Sequence, residues 1–201
     1  MRAGSFSFVS VAATATMLVG LVSGMTPTGV FPQNSENMTN FFDTSTAATN
    51  GVNIPRRNTN IAPTLALDKA IANKTFAVVM FDPDTPATGV GGNGTNSFLH
   101  WFQDGLTSSV SEVDVAGKNV TPLVNVFSVA PLQTYVQPSP PTGQTHRYVQ
   151  ILLDTTGVTG FVVSAATGNA TTSRTGFDMN AFVKESGLTV FSSNFFNVTG
   201  V

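Results

Sequence analysis

Three short apolar runs, each beside a loop stiffened by proline or crowded with glycine, constrain this chain more than any other feature. Thr75–Phe81 (TFAVVMF) is almost wholly apolar and rich in β-branched residues, and Asp82-Pro83-Asp84-Thr85-Pro86 ends it abruptly. A run of this length, bounded by turn signals, reads as a buried strand, and two prolines in one short loop fix its backbone. Phe98–Phe102 (FLHWF) is a second such run, after the Gly-rich stretch Ala87–Asn96. Arg147–Leu153 (RYVQILL) is the third, and it follows a second rigid loop, Pro138–Thr145 (PSPPTGQT). Weaker strand signals lie at Thr64–Leu67 and in Leu106–Asn119, where Gly117 marks a turn. One helix is predicted, at Asp178–Ser186: Asp178 suits an N-cap, Ala181, Phe182 and Glu185 have helical spacing, and Gly187 stands where a C′ glycine belongs. The expectation is a mainly β protein, a β-rich α+β fold.

Composition narrows the functional classes. Hydrophobic residues make up 41% of the 201, enough for a core, but charged residues only 10%. The surface must therefore be covered largely by Ser, Thr, Asn and Gly. With a net charge of −2 and Arg56-Arg57 as the one basic pair, the chain offers no cationic field for nucleic acid. It has no cysteine, which excludes a disulfide framework, a thiol nucleophile and cysteine-ligated zinc, and leaves stability to the core.

The first residues read as an address. Arg2 supplies a small positive region, Phe6–Val22 is largely apolar and uncharged, and Val22-Ser23-Gly24 offers small residues for cleavage. This pattern predicts a secretory signal over residues 1–24, in preference to a membrane anchor, and a secreted, extracellular product. Residues 25–60, polar with apolar islands at Val30-Phe31 and Phe41-Phe42, are read as an N-terminal arm with a short helix, packed on a domain spanning 61–201. Six Asn-x-Thr sequons, at Asn37, Asn73, Asn93, Asn119, Asn169 and Asn197, are glycosylation candidates that agree with secretion.

The chain has only two histidines, and each is tied to a strand beside a rigid loop: His100 within FLHWF and His146 directly after PSPPTGQT. With Asp82 and Asp84 they form a candidate polar site on a weakly charged chain. A metal centre is disfavoured because no H-x-H or H-x-x-x-H pair exists. A Ser139–His146–Asp82 hydrolase triad is disfavoured because no serine lies in a G-x-S-x-G elbow. No cofactor fingerprint is present, and the expectation is a binding protein, not an enzyme.

Three elements, in order, resemble the phosphatidylethanolamine-binding protein family: Asp82-Pro83-Asp84-Thr85-Pro86, Leu99-His100-Trp101, and Pro140-Pro141 leading to His146-Arg147-Tyr148-Val149. The likeness extends over about residues 61–191 and points to a secreted, fungal-type member. It implies a central antiparallel sheet, a smaller second sheet, peripheral helices and a shallow pocket for phosphate-bearing or other anionic groups. By position, the ligand-binding residues it implies are Asp82, Pro86, His100, Pro140, Pro141, His146 and Tyr148, with Phe98 as an aromatic wall. Pro83, Asp84, Trp101 and Arg147 fall in structural positions, Arg147 pairing with an aspartate. Ser139 replaces the glycine the family commonly has before the two prolines. The pocket's chemistry suits a zwitterion, the histidines facing phosphate and Asp82 facing ammonium. The implied partners are a small anion or a phospholipid head group, with peripheral membrane contact. The alternative is a protease, because the family includes a carboxypeptidase inhibitor.

Overall fold

A computed structural model of the chain describes residues 26–30, 32, 34, 36, 38–86, 95–158 and 173–201. The proposed signal segment and the sequons Asn37, Asn93 and Asn169 lie outside them, as does most of the Gly-rich loop. The described residues hold nine strands: β1 (Thr39–Asp43), β2 (Thr46–Ala47), β3 (Thr64–Leu67), β4 (Phe76–Pro86), β5 (Thr95–Ser108), β6 (Val113–Val115), β7 (Lys118–Val124), β8 (Thr145–Asp154) and β9 (Thr189–Thr199). One helix, α1 (Met179–Ser186), and a 3₁₀ turn at Arg56–Asn58 complete them. All strand pairs are antiparallel, in the order β2-β1-β3-β7-β5-β4-β8-β9, with β6 paired to β7.

The sheet curls because β5 serves two partners. Most of it pairs with β4, from Pro86↔Thr95 to Phe76↔Leu106, while its last residues, Thr107 and Ser108, pair with β7. The small β1-β3-β7 layer is thereby folded back over the large β4-β8-β9 layer. Met38, Leu65, Leu67 and Leu123 pack there on Phe76, Val78 and Leu152. The opposite face of the large layer, with Ala77, Val79, Phe81, Val149, Ile151 and Leu153, is covered by Phe177, Met179 and Phe182 of the α1 region. Strands β4 and β8 are thus buried on both faces, which is why they read as nearly unbroken apolar runs instead of alternating ones.

Helix α1 starts where Asp178 accepts from the Asn180 and Ala181 amides and stops at Gly187, whose φ of +67° is the left-handed conformation that glycine adopts freely. The β6–β7 hairpin turns on Ala116 and Gly117, both at positive φ. Among the described residues the N-terminal arm holds no α-helix; it carries the short strands β1 and β2 and the 3₁₀ turn at Arg56–Asn58. Phe41 and Phe42 face opposite sides of β1, one into the small cluster around Val120 and the other edge-on to Phe196. Burying two aromatics in succession on opposite sides needs the two-residue period of a strand. The arm is also woven into the core. Asn40 donates to Gln150, and residues 51–54 run beside the outer edge of β9, exchanging backbone bonds with Phe195 and Asn197.

Candidate functional site

The site begins where β4 and β8 part. Their last pairing is Phe81↔Val149, so Asp82 and the residues up to Tyr148 face each other beyond the regular ladder. On β8, His146 and Tyr148 share one face and Arg147 points to the other. Asp82 is 2% exposed, and His146 is 4% exposed. Asp82 Oδ2 lies 2.7 Å from His146 Nδ1, and Asp82 Oδ1 accepts the Asp84 amide at 2.8 Å. Both carboxylate oxygens are therefore engaged inside the protein. Burial pushes the Asp82 carboxyl above its ordinary pKa, against the pull of the His146 and Asp84 bonds. The His146 Nε2 is 3.3 Å from Gln144 Oε1, so the imidazole is held at both nitrogens, firmly at one and loosely at the other.

Arg147 is fixed by Asp84. Its amide and Nε each donate to Asp84 Oδ2 at 2.9 Å, and its Nη2 donates to Oδ1 at 2.6 Å. Burial raises the Asp84 carboxyl, but the Arg147 bonds outweigh it and hold the pKa below the usual carboxylate value.

His100 enters from β5 at the bulge where Met80↔Trp101 shifts to Phe81↔Leu99. Such a bulge re-aims a side chain. Its Nδ1 is 2.8 Å from the Val136 carbonyl, while its own carbonyl accepts the Val136 amide at 2.8 Å. Its ring lies edge-on between Phe98, at 4.9 Å between centroids, and Tyr148, at 5.1 Å. Tyr148 stacks in turn on Phe196 at 5.6 Å. Burial first, then the Asp82 charge, pushes the Tyr148 pKa up, keeping the hydroxyl protonated. Asp82, His146, Tyr148, His100 and Phe98 thus form one continuous group, assembled from three strands.

The proline loop closes against the end of β9. Gly143 donates to Gly200, and Gly200 donates to Gln144, at 3.1 and 2.8 Å. A Cβ on Gly200 would fall 2.1 Å from the Pro141 carbonyl oxygen and 2.4 Å from that of Pro140, so only glycine fits. Pro140 is buried in this seam and Pro141 is exposed beside it. Pro86 stands apart: it is exposed at the end of β4, where it pairs with Thr95. Trp101 lies in the core, edge-on to Tyr135, outside the polar group. A separate cleft of about 440 Å³ opens on the other face of β4 and β8, beside Phe81, Pro83, Arg147 and Phe177, away from the two histidines.

Several participants escaped the sequence reading. Arg174 donates to the carbonyls of Leu99, His100 and Thr134, stapling β5 to the segment that carries Val136. Gln144, Gly200 and the Val136 carbonyl were equally silent. A backbone carbonyl carries no residue-type signal, and one arginine in a loop resembles any other.

The architecture is that of a curled antiparallel β protein with a small, buried polar site at one end. The sequence pattern of the family described as phosphatidylethanolamine-binding protein matches residues 44–196. The chain belongs to that family. A curated relative from Talaromyces stipitatus, phomoidride biosynthesis cluster protein N, is 32% identical over 116 residues, which are 56% of this chain and 52% of that protein. The chain thus spans about half the length of that relative. Among solved structures, a carboxypeptidase Y inhibitor complexed with its cognate proteinase is similar with a TM-score of 0.62 and 21% identity, over 84% of this chain and 85% of that one. A phosphatidylethanolamine-binding protein from Plasmodium vivax is similar with a TM-score of 0.58 and 18% identity, over 86% and 91%.

Proposed function

We propose that this protein is an extracellular binding protein for small phosphate-bearing head groups, and that it holds them without turning them over. The observation that carries the reading is the convergence of both histidines, far apart in sequence, with Tyr148 and Phe98 on one buried group. Asp82 fixes the His146 ring through Nδ1, which turns Nε2 toward Gln144 and toward an anion that enters the group. Gln144 Oε1, at 3.3 Å from Nε2, holds that edge of the ring only loosely. Phe98 and Tyr148 give the group apolar walls.

Titration with phosphoethanolamine, followed by NMR at both imidazoles, tests the binding. Shifts at His100 and His146 are expected, and silence at both rings would sink the reading. Purified protein is expected to show no esterase or phosphodiesterase turnover that a His146→Ala variant abolishes.

The alternative is a protease inhibitor. It draws on the fold likeness to the carboxypeptidase Y inhibitor and on the exposed Val126 and Phe127, 59% and 73% accessible. Protease inhibition that survives loss of both histidines would favour it.

Secretion is part of the proposal, and three sequons permit a structural test of it. Asn73 and Asn119 are exposed. Asn197 Nδ2 instead donates to the Gly51 carbonyl at 2.8 Å, within the seam that covers β9. Glycan mapping of the secreted product is expected to find Asn73 or Asn119 occupied and Asn197 bare. An unprocessed Met1 on a soluble intracellular product would overturn the proposed route.

A further inference from the structure

The turn after β7 presents apolar side chains to solvent on a backbone that is pinned at its base. Val126 is 59% exposed, Phe127 73% and Val129 37%. Residues 126–130 are exposed without a break. A loose loop would fold such side chains down onto the sheet, but the fastened ends leave this one no such freedom. The Asn125 side chain grips the far side of the turn twice, accepting from the Val129 amide at 2.9 Å and donating to the Val129 carbonyl at 2.8 Å. Gln103, buried in β5, donates to the same carbonyl at 2.9 Å. Val129 packs so closely on β5 that a Cβ on Gly105 would fall 2.6 Å from its Cγ2. Ser128 sits at φ +51°, a left-handed conformation that is unfavourable for a residue with a Cβ. Phe127 stands midway between the pinned ends.

The surroundings select what can cover this tip. No charged residue occurs from Asn119 to Thr145, and Gly105–Ser111 on the adjoining strand and turn are equally uncharged. Thr107 pairs with Val124 at the base of the turn, so the flank is a hydroxyl surface. Asp104, the one acid of β5, has Oδ1 occupied by the Gly105 amide. The tip thus offers no cation to an anionic partner and no charge for an ion pair. Its apolar area is at most a few hundred Å². That is well short of the roughly 800 Å² a side that a stable protein interface or dimer buries. A small, rigid apolar tip with a neutral polar flank matches the boundary between acyl chains and uncharged head groups.

We propose that the Val126–Val129 turn inserts into a lipid bilayer of no net charge, with Phe127 entering the acyl boundary. This contact is separate from the histidine group and does not need the head-group reading. Gly105 lies five residues along β5 from His100, roughly 15 Å away. The attraction is apolar alone, so salt does not screen it and anionic lipid does not strengthen it.

Flotation of the whole protein with phosphatidylcholine vesicles tests the proposal. The protein should float with them equally at low and high salt, and no better when phosphatidylserine is added. Phe127→Ser should weaken vesicle binding about tenfold, the scale of one large apolar side chain left in water. The same variant should keep the wild-type unfolding midpoint and phosphoethanolamine affinity. In Phe127→Trp, emission should shift to the blue and be quenched by lipids brominated on their acyl chains; the unaltered protein, whose one tryptophan is Trp101, supplies the baseline. Absence of flotation overturns the proposal. So does flotation that Phe127→Ser leaves intact, and loss of that flotation in His146→Ala would assign it to head-group capture. Flotation that requires phosphatidylserine or low salt assigns the contact to Arg56-Arg57 and overturns the proposal too. A dimer or a protease complex that Phe127→Ser abolishes, without flotation, gives the tip to a protein instead. Failure of phosphoethanolamine to bind sinks the head-group reading and leaves this proposal standing.

Discussion

Asp82 and Asp84 belong to one triplet, yet they work in different surroundings. Asp82 is sealed under β8 and carries an imidazole; Asp84 has a side chain 20% accessible and carries a guanidinium fork. Burial raises the first carboxyl, while arginine lowers the second in spite of burial. The difference separates two jobs that a sequence motif merges. Asp84 and Arg147 tie the loop to the start of β8 through three bonds, on the face away from the histidines. Asp82 uses its oxygens to orient an imidazole whose other nitrogen is held only loosely, by Gln144 at 3.3 Å.

The sharpest way to break this comparison is to remove each carboxylate in turn. Asp82→Ala leaves the buried His146 without its partner, and a loss of about 3–5 kcal/mol is expected, as for other buried pairs deprived of one member. Head-group binding should fall with it. Urea unfolding measures the first effect and titration the second. If Asp82→Ala costs less than Asp84→Ala, burial does not divide the pair in the way described.

The next effect is a pH dependence from His100, which shares the buried side of the comparison. Its pKa falls from 6.5 to about 4 on folding. Between those values the unfolded chain binds a proton that the folded one excludes, so stability rises with pH across this window. Equivalently, acidification from neutrality to about pH 4 should remove about 3 kcal/mol. Asp82, with its raised pKa, acts in the opposite sense, adding stability that is lost as pH rises through its folded value. The difference between wild type and His100→Phe isolates the histidine. A difference that does not change between pH 7 and 4.5 would show that the ring is not held neutral.

On the exposed side, Asp84→Ala should cost about 1–2 kcal/mol, since charged hydrogen bonds are lost from a half-open site. Because the folded pKa of Asp84 is lowered, its contribution is present above the ordinary carboxylate range and disappears only as pH falls through that lower value. Acid unfolding monitored below pH 4 checks this: the wild-type advantage over Asp84→Ala should vanish there.

The fold was legible where one physical cause dominated. Thr75–Phe81 and Arg147–Leu153 are buried on both faces, so their apolar runs were unambiguous, and α1 announced both ends through Asp178 and Gly187. In the arm, Phe41 and Phe42 sit on opposite sides of a short strand whose pairing with β3 is a tertiary fact that the local pattern does not carry. β5 extends to Ser108, beyond the predicted Phe102, because Gln103 and Asp104 interrupt the apolar pattern although Gln103 is buried and bonded to Val129. At the site, residue types and order located both histidines and Asp82. The direction of each hydrogen bond was not legible, since it depends on the Val136 carbonyl and on which oxygens of Asp82 are already taken.

The smallest expected effect concerns the exposed pair alone. Arg147→Lys keeps the positive charge but replaces a planar fork by a single rotating ammonium. In the wild type, Nε and Nη2 reach the two Asp84 oxygens together, while the backbone amide bond to Oδ2 needs no side chain and survives. One of the two side-chain bonds can be rebuilt from lysine, and the Arg147 side chain is 35% accessible, so water screens what is lost. A destabilisation of about 0.5–1 kcal/mol is expected, decreasing as salt is raised, with head-group affinity unchanged because Arg147 faces away from His146. Matched urea titrations at low and high salt, with phosphoethanolamine binding measured on the same preparations, separate the two properties. A fall in affinity as large as that of His146→Ala would place Arg147 among the ligand's partners and erase the division between the two carboxylates.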